Sequence, residues 1–303
     1  LFSDKTLVQL NVARFDSIKH NAFSLWGDAK LGINKLDEQL SEWKASDKWL
    51  EKAEKEASNW NNYYEEITSI SSSSKTKDFL PTEAQVLGEV KRNGVASDIV
   101  VCAAGSLPGE LHKLWRTEQI GGYHAEYGYS CMGYEIAGGL GVKMAEPDRE
   151  VIVLVGDGSY LMLNSELATS VMLGKKIIAV LLDNRGFSCI NRLQNATGNR
   201  SFNNLLKDCE SVDGGHPEIN FALHAKSLGA NSEHVENIND LSSALKRARE
   251  SNKSYLISLV TDSHKISPEG GCWWEVAVPE VSSNEKGKQI LSSYKESKTK
   301  QPY

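Results

Sequence analysis

At 303 residues the chain is long enough for one large or two ordinary domains. A net charge of −6 and a pI near 5.7 argue against a nucleic-acid surface, and no basic cluster reverses that balance. No apolar run approaches the roughly 20 residues that cross a bilayer as a helix, so neither nucleic acid nor membrane is an expected partner. Hydrophobic content of 40% and charged content of 24% fit a soluble globular protein. Five cysteines (Cys102, Cys131, Cys189, Cys209 and Cys272) form no CxxC pair, which predicts reduced, buried thiols in a cytoplasmic protein. The first residue is Leu1 rather than Met, read as a processed terminus or a piece of a longer polypeptide.

Along the chain, Thr6 to Val12 alternates apolar and polar residues and reads as a strand. From Trp26 to Ile67 the pattern is helical, with Leu36, Leu40 and Trp43 on one stripe and Asp47 placed to cap a second helix. Ile70 to Lys77 is a Ser-rich break and the best linker candidate. The expected division is a domain tail over 1–45, a helical and Ser-rich linker over 46–79 and a long unit over 80–303. In that unit Thr82 caps a helix through Val90. Strand-like runs at Asp98–Cys102, Val151–Val155, Lys176–Leu182 and Tyr255–Val260 then alternate with helical patterns, one of them near Leu241 with Asn239 as its cap. Continuous apolar strands alternating with helices predict an α/β fold, a doubly wound, mostly parallel sheet with helices on both faces. Arg185 to Asn220 is polar, rich in glycine and too long for an ordinary connection, which predicts a cover over a site.

Three turns after strands carry chemistry. Val151–Val155 runs into Gly156-Asp157-Gly158-Ser159, and the next apolar run ends in Asp183-Asn184. A carboxylate and a carboxamide then stand at the carboxyl ends of two parallel strands, where open α/β sheets bind ligands. Oxygen donors of that kind suit a hard cation such as Mg²⁺ with a phosphate among its ligands. Gly158 and Ser159 would offer N–H groups to that phosphate. The turn Ala103–Gly109 lets backbone N–H groups approach an anion closely. The third loop, Tyr127–Tyr134, contains Met132 and precedes the small-residue helix around Ala137–Gly141, built for close contact with a neighbour.

Asp157 within GDG, Asn184 at this separation and Met132 in a Met-Gly-aromatic context resemble the thiamine diphosphate enzymes of the acetolactate-synthase-like branch. The stretches CAAGSLPGELHKLW (102–115), YHAEYGYSCMGYEIAGGLGVKMA (123–145), SFNNLL (201–206) and EGGCWWEVAVPEVS (269–282) resemble the ring-opening hydrolases of myo-inositol catabolism within it. The resemblance implies thiamine diphosphate and Mg²⁺ as cofactors, with Asp157, Asn184 and the Gly186 carbonyl as metal ligands. It implies diphosphate contacts from Ala104, Gly105, Ser106, Gly158, Ser159, Ser188 and Cys189. Ser130 and Met132 would contact the aminopyrimidine, Met132 also holding the cofactor bent. His124 and Glu126 are the candidate substrate-facing groups, and Trp273 and Trp274 candidate walls. The implied reaction opens a cyclic 1,2-diketone to 5-deoxyglucuronate; an acetolactate-type synthase, a 2-oxoacid decarboxylase and a non-catalytic subunit are the alternatives. The family's ylide-promoting glutamate belongs to an upstream pyrimidine-binding domain that nothing here matches. Sites shared between domains of different subunits in that family imply a homodimer or homotetramer, and residues 1–303 alone are expected to be inactive.

Overall fold

A computed structural model describes residues 5–70, 76, 79–209, 214–215, 217–268 and 275–300. It divides into two compact units, Leu1–Asn61 with Thr299–Tyr303 and Asn62–Lys298. In the first, strands β1 (Val8–Asn11) and β2 (Phe23–Trp26) pair in parallel on either side of the short helix α1 (Arg14–Ser17). The helical stretch expected from Trp26 onward is two helices, α2 (Ala29–Gln39) and α3 (Asp47–Thr68), the latter divided between the units. Trp43 falls between them and shares no stripe with Leu36. Ser46 rather than Asp47 caps α3, its hydroxyl accepting the Trp49 N–H at 3.3 Å. Asp47 becomes the first helical residue, where its charge still meets the positive end of the helix.

The second unit begins its α/β layers with α4 (Glu83–Arg92). Thr82 accepts the Gln85 N–H while the Gln85 side chain accepts the Thr82 N–H, a reciprocal cap that satisfies two otherwise unpaired donors. There follow β3 (Ile99–Cys102), α5 (Ser106–Leu114), β4 (Tyr123–Ala125), α6 (Tyr134–Ala145), β5 (Val151–Gly156), α7 (Asp157–Met162), α8 (Glu166–Met172) and β6 (Ile178–Asp183). After these come α9 (Ser188–Ala196), α10 (Phe221–Ser227), β7 (Asn231–His234), α11 (Leu241–Glu250), β8 (Tyr255–Val260) and α12 (Glu285–Thr299). Asn237, not Asn239, supports the approach to α11, by accepting the Asn239 N–H ahead of a 3-10 turn. The segment expected to be an irregular cover holds α9 and a further 3-10 turn, Leu206–Asp208; residues 210–213 and 216 lie outside the described residues.

The larger sheet has six parallel strands in the order β4-β3-β5-β6-β8-β7. Alternate side chains feed two separate cores, as the period of two requires. Val100, Ile152, Leu154, Val180 and Ile257 pack with Val86 of α4, Leu111 of α5 and Leu245 of α11. Val101, Val153, Val155, Ala179 and Leu256 pack on the other face with Ile136 of α6, Tyr160 of α7 and Ala225 of α10. Burial on both faces is why β5 and β6 read as unbroken apolar runs. Strand order reverses between β3 and β5, and the helices that follow those strands lie on opposite faces. A crevice therefore opens at their carboxyl ends. Among the described residues no helix is long and apolar enough to cross a membrane.

Four cysteines are described, and the expectation of uniformly buried thiols fails. Cys102 sits in β3 and is buried, but Cys131 and Cys209 lie in surface turns and are exposed. Cys272 lies outside the described residues.

The small-residue helix does pack as expected. A Cβ on Gly139 of α6 would stand 2.3 Å from Val153 Cγ2 on β5. Overpacking of this kind costs about 1–3 kcal/mol, more than the few tenths that replacing glycine recovers in a helix. Gly139→Val is expected to lower stability by about 2 kcal/mol in urea denaturation, whereas an unchanged midpoint would contradict this close contact.

Candidate functional site

The carboxyl ends of β3, β5 and β6 surround a cavity of about 310 Å³, within the range of small-ligand pockets. The candidate metal and cofactor residues named from the sequence meet there. Ala104, Gly105 and Ser106 line it from the turn after β3, and Gly158 and Ser159 from the turn after β5. Ser188 and Cys189 line it from α9, Ser130 and Met132 from the loop before α6. Asp157, Asn184 and Gly186 line it as well.

Three oxygens converge in this cavity. Asp157 is 4% exposed, and its Oδ2 accepts the Gly186 N–H at 2.7 Å. The terminal amide atom of Asn184 on the same side lies 3.3 Å from Asp157 Oδ1, 2.6 Å from the Gly186 carbonyl oxygen and 2.7 Å from Ser188 Oγ. With its nitrogen inward, Asn184 donates to all three. With its oxygen inward, a carboxylate, a carboxamide and a carbonyl oxygen face one another, an arrangement that a hard cation stabilises. Among the described residues no three His, Cys, Asp or Glu side chains gather to hold a metal elsewhere.

The backbone is bent to make this possible. Arg185 and Gly186 have φ of 63° and 131°, which turns the Gly186 carbonyl back toward Asn184. A Cβ on Gly186 would stand 2.5 Å from the Asn204 carbonyl oxygen, so the position admits only glycine. The approach is fixed by paired bonds, Phe187 N–H to Asn204 O at 2.7 Å and Leu206 N–H to Arg185 O at 2.9 Å. The SFNNLL stretch thus braces the Arg185–Phe187 turn, a role that its sequence alone did not disclose.

Electrostatics favour a cation. Burial first, then the neighbouring Asp183, pushes the Asp157 carboxyl up to about 7, against the pull of the Gly186 and Gly158 N–H groups. Arg185 pairs with Asp183 at 3.4 Å and leaves Asp157 without a cationic partner among the described side chains. A buried carboxylate beside another is stabilised by neutralising charge, which Mg²⁺ at the oxygen cluster supplies. The residues present fit that ion.

Beside the oxygens the cavity offers anion contacts. Gly105, with φ 91°, precedes the first turn of α5, whose leading N–H groups have no partner within the helix. Ser106 Oγ donates to Glu83 Oε1 at 2.6 Å. Glu83 is 3% exposed, lines the cavity, and its Oε2 has no partner. Burial raises its pKa, opposed by Ser106, Arg192 and Asn184. No sequence signal separated Glu83 from an ordinary acidic residue opening a helix. The Ala104 N–H, expected to approach a diphosphate, is instead engaged by Glu135, which also accepts the Ser159 hydroxyl.

The loop before α6 turns at Ser130 (φ 53°) and Gly133 (φ 94°), which presents the half-buried Met132 to the cavity. Glu126 is spent on that loop. Its carboxylate accepts the Cys131 N–H at 2.7 Å and the Tyr129 N–H at 3.0 Å, and these bonds hold its pKa down. His124 lies 2.6 Å from the Tyr134 hydroxyl and stacks on that ring. Neither lines the cavity. Trp273 and Trp274 lie outside the described residues.

This geometry accords with the family match. Residues 103–259 match the model of the thiamine pyrophosphate enzymes' C-terminal TPP-binding domain. The chain belongs to that family. It is 37% identical to the 3D-(3,5/4)-trihydroxycyclohexane-1,2-dione hydrolase of Bacillus licheniformis, over 97% of this chain and 48% of the relative. The corresponding protein of Clostridium tetani is 35% identical over 93% of this chain and 48% of its own length. That of Bacillus subtilis is 33% identical over 94% and 47%. The chain thus spans about half the length of the curated relatives it matches. Among solved structures, the Rhodococcus jostii thiamine diphosphate-dependent 4-hydroxybenzoylformate decarboxylase shares the fold. Its TM-score is 0.51 at 21% identity, covering 60% of this chain and 33% of that one.

Asp157 holds its proton more tightly folded, at about 7, than at its ordinary value of 3.8. Between those values folding takes up a proton, so this group's contribution to stability falls as pH rises through the window. A cation needs the carboxylate and competes with that proton. Apparent Mg²⁺ affinity is expected to weaken roughly tenfold per pH unit below 7. The rise in Tm on adding Mg²⁺ should therefore be larger at pH 8 than at pH 5.5, and equal rises would contradict Asp157 as a ligand.

Proposed function

We propose that this chain is the cofactor-anchoring part of a thiamine diphosphate- and Mg²⁺-dependent hydrolase that opens a cyclic 1,2-diketone. The substrate proposed is 3D-(3,5/4)-trihydroxycyclohexane-1,2-dione, converted to 5-deoxyglucuronate in myo-inositol degradation. The observation that carries the cofactor reading is the convergence of Asp157, Asn184 and the Gly186 carbonyl beside the turn at Gly105 and Ser106. The substrate reading is supported by 33–37% identity to hydrolases of that name along more than nine-tenths of the chain.

In this reading Asp157, Asn184 and Gly186 hold the metal. Ala104, Gly105, Ser106, Gly158, Ser159, Ser188 and Cys189 enclose the diphosphate, Ala104 and Ser159 through atoms other than those that bond Glu135. Ser130 and Met132 shape the space beside it, Met132 as the group that keeps the cofactor bent. When bound, thiamine diphosphate supplies an electron sink for carbon–carbon cleavage. The chain's own side chains bind and orient it and exclude water from the metal end of the cavity. Glu126 and His124 act in this reading by fixing the loop that carries Met132.

The proposed partner is a pyrimidine-binding domain that brings the ylide-promoting glutamate, contributed from a second subunit of a homodimer or homotetramer. Ile190 and Leu193 line the cavity yet stay 52% and 48% exposed, and Tyr129 beside Ser130 is 91% exposed. Apolar groups left open at a site mark a surface for another protein element. We also propose 1–45 as a middle-domain tail, 46–79 as a linker and 80–303 as the cofactor domain. The two-stranded parallel sheet supports the first assignment, since parallel strands are ordinarily covered on both faces and Val8, Phe23 and Trp26 are exposed. The cytoplasm is the compartment this reading implies.

Turnover by the full-length protein on the cyclic dione and on pyruvate tests the proposal. Dione hydrolysis is expected, reduced by two orders of magnitude or more in Asp157→Ala; turnover of pyruvate alone would overturn it.

A further inference from the structure

Glu135 lies in the first turn of α6 and is 1% exposed. An acidic residue there is ordinarily explained by the positive end of the helix. Its bonds reach much further. Oε1 accepts the Ala104 N–H at 3.3 Å and the Ser159 hydroxyl at 2.7 Å, while Oε2 accepts the Gly133 N–H at 3.1 Å and lies 2.7 Å from the same hydroxyl. Ser159 Oγ in turn accepts the Gly133 N–H at 2.8 Å. The partners come from three different turns, those after β3, β4 and β5, neighbours in the order β4-β3-β5. Each turn carries candidate ligand groups close by, namely Gly105 and Ser106, Met132, and Asp157.

We infer that Glu135 is a positioning residue that locks these three turns into one register and so preorganises the cofactor site. The inference rests on the thiamine diphosphate reading. A carboxylate is suited to the task because its two oxygens offer about four acceptor sites and no donor. Core packing gives no reason for it, since burying a carboxylate is unfavourable and an apolar side chain would fill the space. Among the described residues no lysine or arginine forms an ion pair with it, so its stabilisation comes from the turns themselves. Burial raises its pKa, and the bonds from Ser159, Ala104 and Gly133 oppose that rise. The lock also accounts for the orientation of Ser159, whose hydroxyl is held by Glu135 while its neighbour Asp157 faces the metal position. Rigid support of this kind is what holds a binding constellation within the tolerance that affinity needs.

The test uses the full-length protein with Glu135→Gln, which keeps size and shape but replaces one acceptor oxygen with a donor. With Mg²⁺ saturating, the Kd for thiamine diphosphate is expected to rise at least about tenfold while the Tm without cofactor moves little. An unchanged Kd and kcat would overturn the inference. So would a Kd that rises only in step with a falling Tm, as for a purely structural residue. Should Glu135→Gln fail to fold, Ser159→Ala carries the test through amide hydrogen exchange without cofactor. Exchange over 103–107 and 130–133 is expected to quicken at least about tenfold, because removing the hydroxyl loosens turns distant in sequence. Unchanged exchange would overturn the lock, since a direct diphosphate contact by Ser159 leaves the cofactor-free loops unaffected. If the wild-type protein itself binds no thiamine diphosphate, the reading of function falls; if it binds and the variants match it, only the inference does.

Discussion

The candidate site depends on one buried carboxylate, that of Asp157. Asp157 opens α7 directly after β5, in a place that water scarcely reaches, with Asp183 nearby and no cationic side chain beside it among the described residues. Its two backbone N–H donors offset only part of the burial penalty. The Asn184 amide and the Gly186 carbonyl, turned back by the Arg185–Gly186 bend, converge beside it, and in the proposed reading they complete a cation shell.

That charge can be held where it is because the sheet beneath it is rigid. β5 and β6 are adjacent, fully paired and packed on both faces, so the ends that carry Asp157 and Asn184 have little freedom. The reversal of strand order between β3 and β5 opens the crevice beside them. Helix α9 then closes one wall with Ser188, Cys189, Ile190 and Leu193, and the Gly186–Leu205 bridge ties the Arg185–Gly186 turn to the 201–206 stretch. The crevice, the turns that line it and the wall are consequences of one topology.

The central strands were legible because double burial writes them as unbroken apolar runs, and the cavity-lining positions of Asp157 and Asn184 because polar residues interrupt those runs at their carboxyl ends. The edge strands were not. β4 is Tyr-His-Ala and β7 is Asn-Ser-Glu-His, short and half-buried, with no apolar run to reveal them. Helix α9 was hidden by its polar composition, since its apolar residues line a cavity rather than a core. Glu83 and Glu135 were illegible for a deeper reason, because each acquires its role from groups brought near by tertiary folding. From the sequence, His124 and Glu126 stand before Met132 as candidate substrate-facing groups; in the structure His124 bonds Tyr134 and Glu126 accepts two loop N–H groups, partners set by the folded loop.

Calorimetric titration of the full-length protein with thiamine diphosphate, with and without Mg²⁺, bears most directly on the account. Binding should require Mg²⁺ in the wild type and vanish in Asp157→Asn, which preserves shape while removing the charge. Equal, Mg²⁺-dependent affinity in that variant would contradict the buried carboxylate as the anchor of the site.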